Sequence, residues 1–587
     1  MHKNNTFFLQ TLYNRHMSGF LRKHWNIFLI FILLIFTLLP LFHPGFFPMH
    51  DDEQIGRLYD LNKDVIAGQL PPRLAQDLGF GFDYPLFNFY PPFVYYVGEV
   101  FHLFGFSLIT STKLMIGLGF ILSGLFMYLF AKEYVGKTGG VVAAIAYSYA
   151  PYHSVDVYVR GAMPEFWSFV FVPAIFWSIY KLAKTDKNTY LIIAGIFVAC
   201  LVLTHDLVAM MSSFFLGPYF LFLLYQSKKK WQLFGKICLS VVLGLVFTAY
   251  FWIPAYFEKQ YTMVSLLTDQ FADYHLHFVC VRQFFTSPWG YGGSLLGCDD
   301  GLSFQVGQAQ LLLAIISMIA SAFFIYKTRK GYGIAVLFGF LFLFSLFIQT
   351  KYSVGIWDHI QQFSYIQFPW RFLLFSDFTI AFLIAYVFSQ LKNQKIQIII
   401  AAGMIVLLIF MNKGYFRPEK YLTHVTDTSY TSPAVIHWRT SIMSFEYTPR
   451  GIATRKSKIG NSVIAIKRNE IPKKSYTVVS GKMTVVQLEN IPQVKNYLVT
   501  VSKPGVLRLN TFTFPGWKVF VDNNKVAYSA NNKWKLITVA LSKGRHTVRA
   551  EFTDTPLRTV SDWISGLSII GVFLIAIFRG KRYGKNK

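Results

Sequence analysis

The sequence predicts a polytopic α-helical membrane protein that carries a small β domain on its outer side, and three observations predict it. Of the 587 residues, 53% are hydrophobic and only 14% are charged, against roughly 25% charged in an average soluble domain. Apolar stretches recur that approach the roughly 20 residues needed to cross a hydrocarbon layer of about 30 Å. Asn26 to Leu41, Tyr190 to Leu203, Leu207 to Tyr225, Leu311 to Ile325 and Ile334 to Ile348 are examples. Residues 412–560, by contrast, are polar and alternate with the two-residue period of strands.

The first apolar stretch follows Lys3, Arg15, Arg22 and Lys23, as in a signal peptide, but Phe28 to Leu41 is bulky and has no small-residue cleavage site. An uncleaved first helix is therefore expected. Spans are placed near 26–44, 112–131, 138–157, 165–183, 189–204, 207–226, 234–254, 309–326, 332–349, 371–389, 395–411 and 561–578. This closes only if Phe93 to Phe106, also apolar, is an interfacial or re-entrant helix; if it crosses, the Pro151-interrupted segment is the one to demote. With twelve spans and the N-terminus inside, the inner connections carry Lys132 and Lys137, then Lys181, Lys184 and Lys187, then Lys228 to Lys230. Lys327, Arg329, Lys330, Lys392 and Lys395 continue the series, and the tail adds Arg579, Lys581, Arg582, Lys585 and Lys587. That is the pattern of a cytoplasmic-membrane protein with both termini in the cytoplasm.

Three units follow: a multi-span domain over 1–411, a β domain over 412–560, and a final span with a basic tail over 561–587. The outer connections are 45–111, 255–308 and 350–370. In His546 to Phe552, Val548, Ala550 and Phe552 share one face, and Pro515-Gly516, Asp522-Asn523-Asn524 and Lys543-Gly544 mark turns, the signature of a small antiparallel sandwich. This stretch holds 24 Lys and Arg against 8 Asp and Glu within a net charge of +27. A partner among anionic lipids or acidic polymers and a merely basic surface both fit. Cys280 and Cys298 fall in an outer loop, where the compartment permits a disulfide. Cys200 and Cys238 lie in spans and read as small buried hydrophobes.

The strongest chemical signal is Met49-His50-Asp51-Asp52-Glu53-Gln54, just past the first span. Residues 45–91 hold seven acids against three bases in an otherwise basic chain. Ile55, Leu58, Tyr59, Val65 and Ile66 recur at helical spacing, which predicts an amphipathic helix along the membrane. Asp51 or Asp52 would then cap it while Glu53 complements its dipole; a capped helix can equally aim a carboxylate at a substrate.

Pro71-Pro72-Arg73, Gly79-Phe80-Gly81, Tyr84-Pro85-Leu86-Phe87 and Tyr90-Pro91-Pro92 follow the acid pair. This string resembles bacterial polytopic proteins of the 6-pyruvoyl-tetrahydropterin-synthase-related membrane family, which look like members of the GT-C superfamily of membrane glycosyltransferases. The resemblance is specific over 49–96 and diffuse elsewhere. For the pterin label there is no compact His cluster of the kind a zinc site needs.

The resemblance implies transfer, with inversion, of a sugar from a polyprenyl-phosphate donor to a glycan, lipid or protein acceptor outside a prokaryotic cytoplasmic membrane. Asp51 or Asp52 would be the general base on the acceptor hydroxyl, the other supporting it or binding a divalent cation, magnesium or manganese. Glu53, Arg57, Asp83 and Tyr90 in the matched stretch, with Arg160, His205 and Arg371 at outer span ends, are the substrate-binding candidates. The last three suit the leaving phosphate. Plainer readings stand beside them: Arg160 paired with Asp156 or Glu165, His205 as part of a polar turn, and Arg371 snorkelling next to Trp370. Membrane lipid is an expected partner and nucleic acid is not. A lipid or glycan transporter or flippase is the chief rival, although Asp377 is the one acid clearly inside a span and no internal repeat is visible. A noncatalytic envelope scaffold presenting the β domain is the other.

Overall fold

The computed structural model describes residues 24–264, 272–328, 332–456 and 462–584. Lys3, Arg15, Arg22, Lys23, Arg329, Lys330, Lys585 and Lys587, which carry part of the expected charge pattern, lie outside the described residues.

The first helix, His24–Leu33 continued as Ile35–Phe42, bends by 45°. Leu108–Ser148 is two helices rather than a 41-residue rod, because Gly136 adopts φ 75° and ψ 176° in its middle. A Cβ on Gly124 would stand 2.9 Å from Ser148 Oγ, and one on Gly140 would stand 3.0 Å from Lys132 and Tyr128. In a straight helix rising about 1.5 Å per residue, Ser148 would be roughly 36 Å away, Lys132 roughly 12 Å and Tyr128 roughly 18 Å. The chain therefore doubles back at Gly136, and the limbs 108–135 and 137–148 run antiparallel where two spans were expected.

Eight described helices are long and apolar enough to cross a membrane, and ten if each bent pair counts as one. The 17-residue apolar helix Asn188–Thr204 adds one more candidate, and the second limb of the Gly136 hairpin, residues 137–148, stands where the remaining span was expected but is too short to cross by itself. Phe93–Leu103 forms a helix of 11 residues, about half the length a crossing needs. Helix Pro369–Ser389 is almost wholly enclosed, whereas Pro556–Ile575 is peripheral. Around the enclosed helix, Phe375 stacks on Phe215, and Phe378 and Phe382 pack on Phe130 and Phe338. Part of the aromatic content is thus interior filling.

Connections expected on the same side do gather. Lys181 bonds Glu133 (3.3 Å) and Lys236 bonds Asp186 (2.6 Å) at one end of the bundle. At the other end, Phe46 bridges Leu422 and Val279 donates to the Gln349 carbonyl. Cys280 and Cys298 are bonded there, with their Cα atoms 5.6 Å apart.

The strands occupy Thr454 to Phe552; residues 412–453, counted with the β domain from sequence, form short helical turns at Thr428–Thr431 and Val435–Thr440 that cover the first loop. Beyond the small pair β1 (Thr454–Lys456) and β2 (Ser462–Ile464), one six-stranded antiparallel sheet contains β3 (Tyr476–Ile491), β4 (Val494–Phe512), β5 (Trp517–Val521), β6 (Asn524–Val526), β7 (Leu536–Leu541) and β8 (Gly544–Phe552). β4 pairs with β8 through Val494–Val501 and with β7 through Gly505–Phe512, so β7 and β8 form one rail broken at 542–543. The breaks align: Gly481 in β3, Pro504-Gly505 in β4 and Gly544 in β8. Gly481 is forced, since at φ 82° a Cβ would stand 2.6 Å from the Pro504 carbonyl. Instead of the two sheets expected of a sandwich, the strands form this one sheet, with its pairing interrupted along this line.

Val548, Ala550 and Phe552 do face inward, sharing a core with Tyr497, Val499, Leu507 and Val539, into which Leu74 and Phe89 of the first loop are inserted. The last helix locks the domain to the bundle. Arg558, fully buried, bonds Glu258 (2.9 Å) and the Pro515 carbonyl (2.9 Å), and Arg73 bonds Asp562 (2.8 Å) and the Tyr250 carbonyl (2.8 Å).

Candidate active site

The first-loop helix spans Gln54–Ile66 with Glu53 at the cap position, and no side chain caps it. The expectation that Asp51 or Asp52 is a helix cap is thereby corrected. Nor is the helix amphipathic in the way expected: Ile55, Leu58 and Leu61 are buried, but so are Gln54, Arg57, Asp60 and Asp64, while Ile66 is exposed. Protein encloses it on several sides, so its polar residues find partners inside rather than water.

The acid motif is seated by backbone. His50 and Asp51 donate to the Val159 and Arg160 carbonyls (3.0 and 2.8 Å), and Gln54 Nε2 donates to the Gly161 carbonyl (2.9 Å). Gly161, at φ 69°, permits this approach, because a Cβ would stand 2.7 Å from Met49 Cβ. The motif thus rests on the wide helical turn Val155–Arg160, whose last residue supplies a guanidinium.

Arg160 spends a single nitrogen, Nη1, on Asp156, Glu165 (2.8 Å) and the Tyr152 hydroxyl (3.1 Å), and its guanidinium lies over the Trp370 ring at 4.4 Å. Arg371 joins the same cluster through Nε to Glu165 (3.2 Å), while its Nη1 donates to the Ile366 carbonyl (2.7 Å). The ion-pair reading of Arg160 is correct, but it does not exhaust the residue. Nε and Nη2 of Arg160, and Nη2 of Arg371, make no hydrogen bond among the described residues and remain as donors. His205 caps the next helix, its Nδ1 accepting from Val208 N at 3.4 Å. Burial first, then the neighbouring Arg371 cation, push its pKa down to about 3, so it is a neutral Nε2–H donor at physiological pH.

Arg57 is wedged between Glu53 (3.4 Å), the Tyr95 hydroxyl (3.3 Å) and Ser444 (3.4 Å), and lies 4.1 Å over the Tyr90 ring. Burial pushes Glu53 up to about 7 against the pull of the Arg57 cation. Asp52 is bonded by Arg439 (2.6 Å); burial raises its pKa to about 6, with Arg439 opposing. The Asp51 carboxylate accepts no hydrogen bond among the described residues; its backbone carbonyl accepts from Gln54 Nε2 at 3.4 Å.

The fold therefore gathers Asp51, Asp52, Glu53, Arg57, Tyr90, Arg160, His205 and Arg371 at the β-domain end of the bundle. Asp83 is elsewhere: fully enclosed, it holds Lys495 (2.7 Å) and Thr511 (2.7 Å) of the β domain. Arg439, Ser444 and Glu446 join the site from 387 or more residues away in sequence, with no local pattern to mark them. Glu165, named from sequence only as a partner for Arg160, is the anion that holds both arginines. Among the described residues no three His, Cys, Asp or Glu side chains converge as a metal set. Asp51 and Asp52 offer two carboxylates, one engaged by Arg439, and that donor set does not make a cation site.

The chain is similar to the apo oligosaccharyltransferase of Archaeoglobus fulgidus, at 13% identity and a TM-score of 0.39, over 67% of this chain and 56% of that one. It is also similar to ArnT from Cupriavidus metallidurans bound to undecaprenyl phosphate, at 16% identity and a TM-score of 0.32, over 65% and 63% of the two chains. It spans little more than half the length of the oligosaccharyltransferase. No curated protein matches it in sequence. Residues 87–296 match the model of the family described as 6-pyruvoyl-tetrahydropterin synthase related domain, membrane protein, the family that the loop motifs resemble.

Proposed function

We propose that the protein transfers a sugar from a polyprenyl-phosphate donor to an acceptor hydroxyl on the outer face of a prokaryotic cytoplasmic membrane. The observation that carries this reading is the seating of the acid motif, by the backbone hydrogen bonds of His50 and Asp51, directly on the turn that presents Arg160. Carboxylates and unengaged guanidinium donors are thereby brought to the same end of the bundle.

Asp52 is the base. Its carboxylate has a proton affinity raised towards neutrality, where a general base works best. It takes the acceptor hydroxyl proton as the acceptor oxygen bonds the anomeric carbon from the face opposite the phosphate. The carbon–oxygen bond to phosphate breaks, and polyprenyl phosphate leaves with the electron pair. The free N–H groups of Arg160 and Arg371, with His205 Nε2–H, meet the developing phosphate charge by charge-assisted hydrogen bonds. Asp51 supports the acceptor. An open groove of about 1010 Å³, walled by Leu38, Leu41, Leu114, Leu118 and Ile121, offers apolar surface for a lipid chain. Lysines gather at the opposite end of the bundle, the arrangement expected if that end is cytoplasmic.

The test is release of polyprenyl phosphate from a panel of polyprenyl-phosphate sugars by the purified protein in lipid. Wild type is expected to turn over at least one donor and Asp52→Asn none; turnover by neither, or equally by both, overturns the assignment. One observation favours the transport reading: Asp377 is fully buried mid-helix with neither carboxylate oxygen bonded among the described residues, as in proton-coupled transporters. That reading predicts proton-dependent flux in liposomes that Asp377→Asn abolishes and Asp52→Asn spares.

A further inference from the structure

The loop that carries the disulfide holds a second pocket, of about 530 Å³, within the usual range of roughly 300–1,000 Å³ for ligand sites. One wall is aromatic: the rings of Trp289 and Tyr415 lie 5.0 Å apart, and the buried indole N–H of Trp289 has no partner among the described residues. The other wall is amide: Gln305 is buried, with its Oε1 3.5 Å from the Tyr415 hydroxyl, and Gln308 is exposed. The rim is stapled. Arg282 bonds Asp299 (2.8 Å) and the Cys298 carbonyl (3.3 Å), and Gln283 Nε2 bonds Asp300 (2.7 Å).

Arg282 stands against two carboxylates, so the pocket has no excess positive charge for a phosphate. Nor is it an apolar slot for a hydrocarbon. An aromatic face beside side-chain amides, which donate and accept together, suits a ligand with an apolar face and a rim of hydroxyl groups. The location is specific as well. Two residues beyond Trp289, the Tyr291 carbonyl is bonded by His50 Nε2 at 3.0 Å, next in sequence to Asp51. Ser154, on the element that leads to Arg160, donates to the Tyr415 carbonyl at 2.8 Å.

We infer that this disulfide-stapled pocket is a saccharide subsite that takes an uncharged sugar ring on Trp289 and Tyr415 beside the carboxylate pair. The inference rests on the glycosyl-transfer reading and gives it a substrate-recognition element.

The test is saturation-transfer NMR on the full-length protein in lipid nanodiscs, with the methyl glycosides of glucose, galactose, mannose and N-acetylglucosamine as probes and inorganic phosphate as the control. At least one glycoside is expected to bind, and to bind at least tenfold more weakly to Trp289→Ala and to Gln308→Ala. Gln308 is exposed, so its substitution leaves the fold intact. Displacement of the bound glycoside by a polyprenyl-phosphate sugar assigns the site to the donor's sugar, and simultaneous binding assigns it to the acceptor; both support the inference. Binding of no glycoside, binding that survives both substitutions, or phosphate binding in this pocket overturns it. Glycoside binding without any turnover overturns the transfer reading alone, which keeps the two failures apart.

Discussion

The first loop contains two groups of acids in opposite circumstances. In the later group, Asp60 accepts from the Asp77 and Leu78 amides (3.1 and 2.9 Å), Asp77 holds Lys63 and His437 (3.3 Å), and Asp83 holds Lys495 and Thr511. Asp64 lies among them with neither oxygen bonded among the described residues, and burial, then the neighbouring Asp60, push its pKa well up. In the earlier group, among the described residues, the Asp51 carboxylate accepts no hydrogen bond, Glu53 leaves Oε2 unpartnered, and the Asp52 carboxylate has one bond, from an exposed arginine. Carboxylates of the same loop thus divide into a group that mostly fastens the loop to itself and to the C-terminal segments and a group whose bonding capacity the fold leaves open. Native structures bond or neutralise buried polar groups unless something else uses them. That difference argues for function in the earlier group.

The sharpest break in the comparison is Asp52→Asn against Lys495→Ala. The first is expected to lower transfer by about 10²–10⁴-fold, the span of general-base catalysis, with the thermal midpoint unchanged. The second strands Asp83 as a buried unpaired charge, and breaking such a pair costs about 3–5 kcal/mol. Activity per folded molecule should survive it. Thermal unfolding measured beside initial rates decides the matter, and a crossed result, with Asp52→Asn unfolding and Lys495→Ala inactive but stable, would abolish the division.

A control remote from both groups is Gly136→Ala. At φ 75° and ψ 176° the backbone is in a region that is essentially glycine's alone, with a cost of about 1–3 kcal/mol for other residues. The expected result is a lower thermal midpoint with no change in substrate affinity. If the midpoint is unmoved, the 108–148 element does not depend on its turn at Gly136.

What was legible in the sequence was whatever rests on local pattern. Apolar length gave the helices, alternation gave β8, and the acid motif and the Pro-Arg to Tyr-Pro-Pro string marked the loop. The hairpin turn at Gly136 was legible as the basic gap between two spans. What was not legible depends on chain returning from afar. The interruption of pairing along Gly481, Pro504 and Gly544 is a property of three strands in register, and no single strand shows it. Asp83 looked like its neighbours until Lys495 closed on it. Arg439 and Glu446 sit in a stretch whose composition reads as ordinary surface, and only the packing of 412–453 onto the first loop brings them to the acids.

Arg439 supplies the finest test, because it is the point where the two circumstances meet: an acid of the open group holding one bond from the C-terminal segment. If Asp52 is the base, transfer requires its carboxylate form, so the rate should rise with pH through about 6 and level off above. Arg439 stabilises that ionised form. Arg439→Ala should therefore move the rising limb to higher pH, leaving the plateau rate in place. The guanidinium is 68% exposed, and exposed pairs are worth about 0.2–1 kcal/mol, so the displacement should stay under about one pH unit. A pH–rate profile of the two proteins measures it. A shift to lower pH would mean that the titrating group is not Asp52, and a collapse of the plateau would mean that Arg439 contacts the substrate rather than only the base.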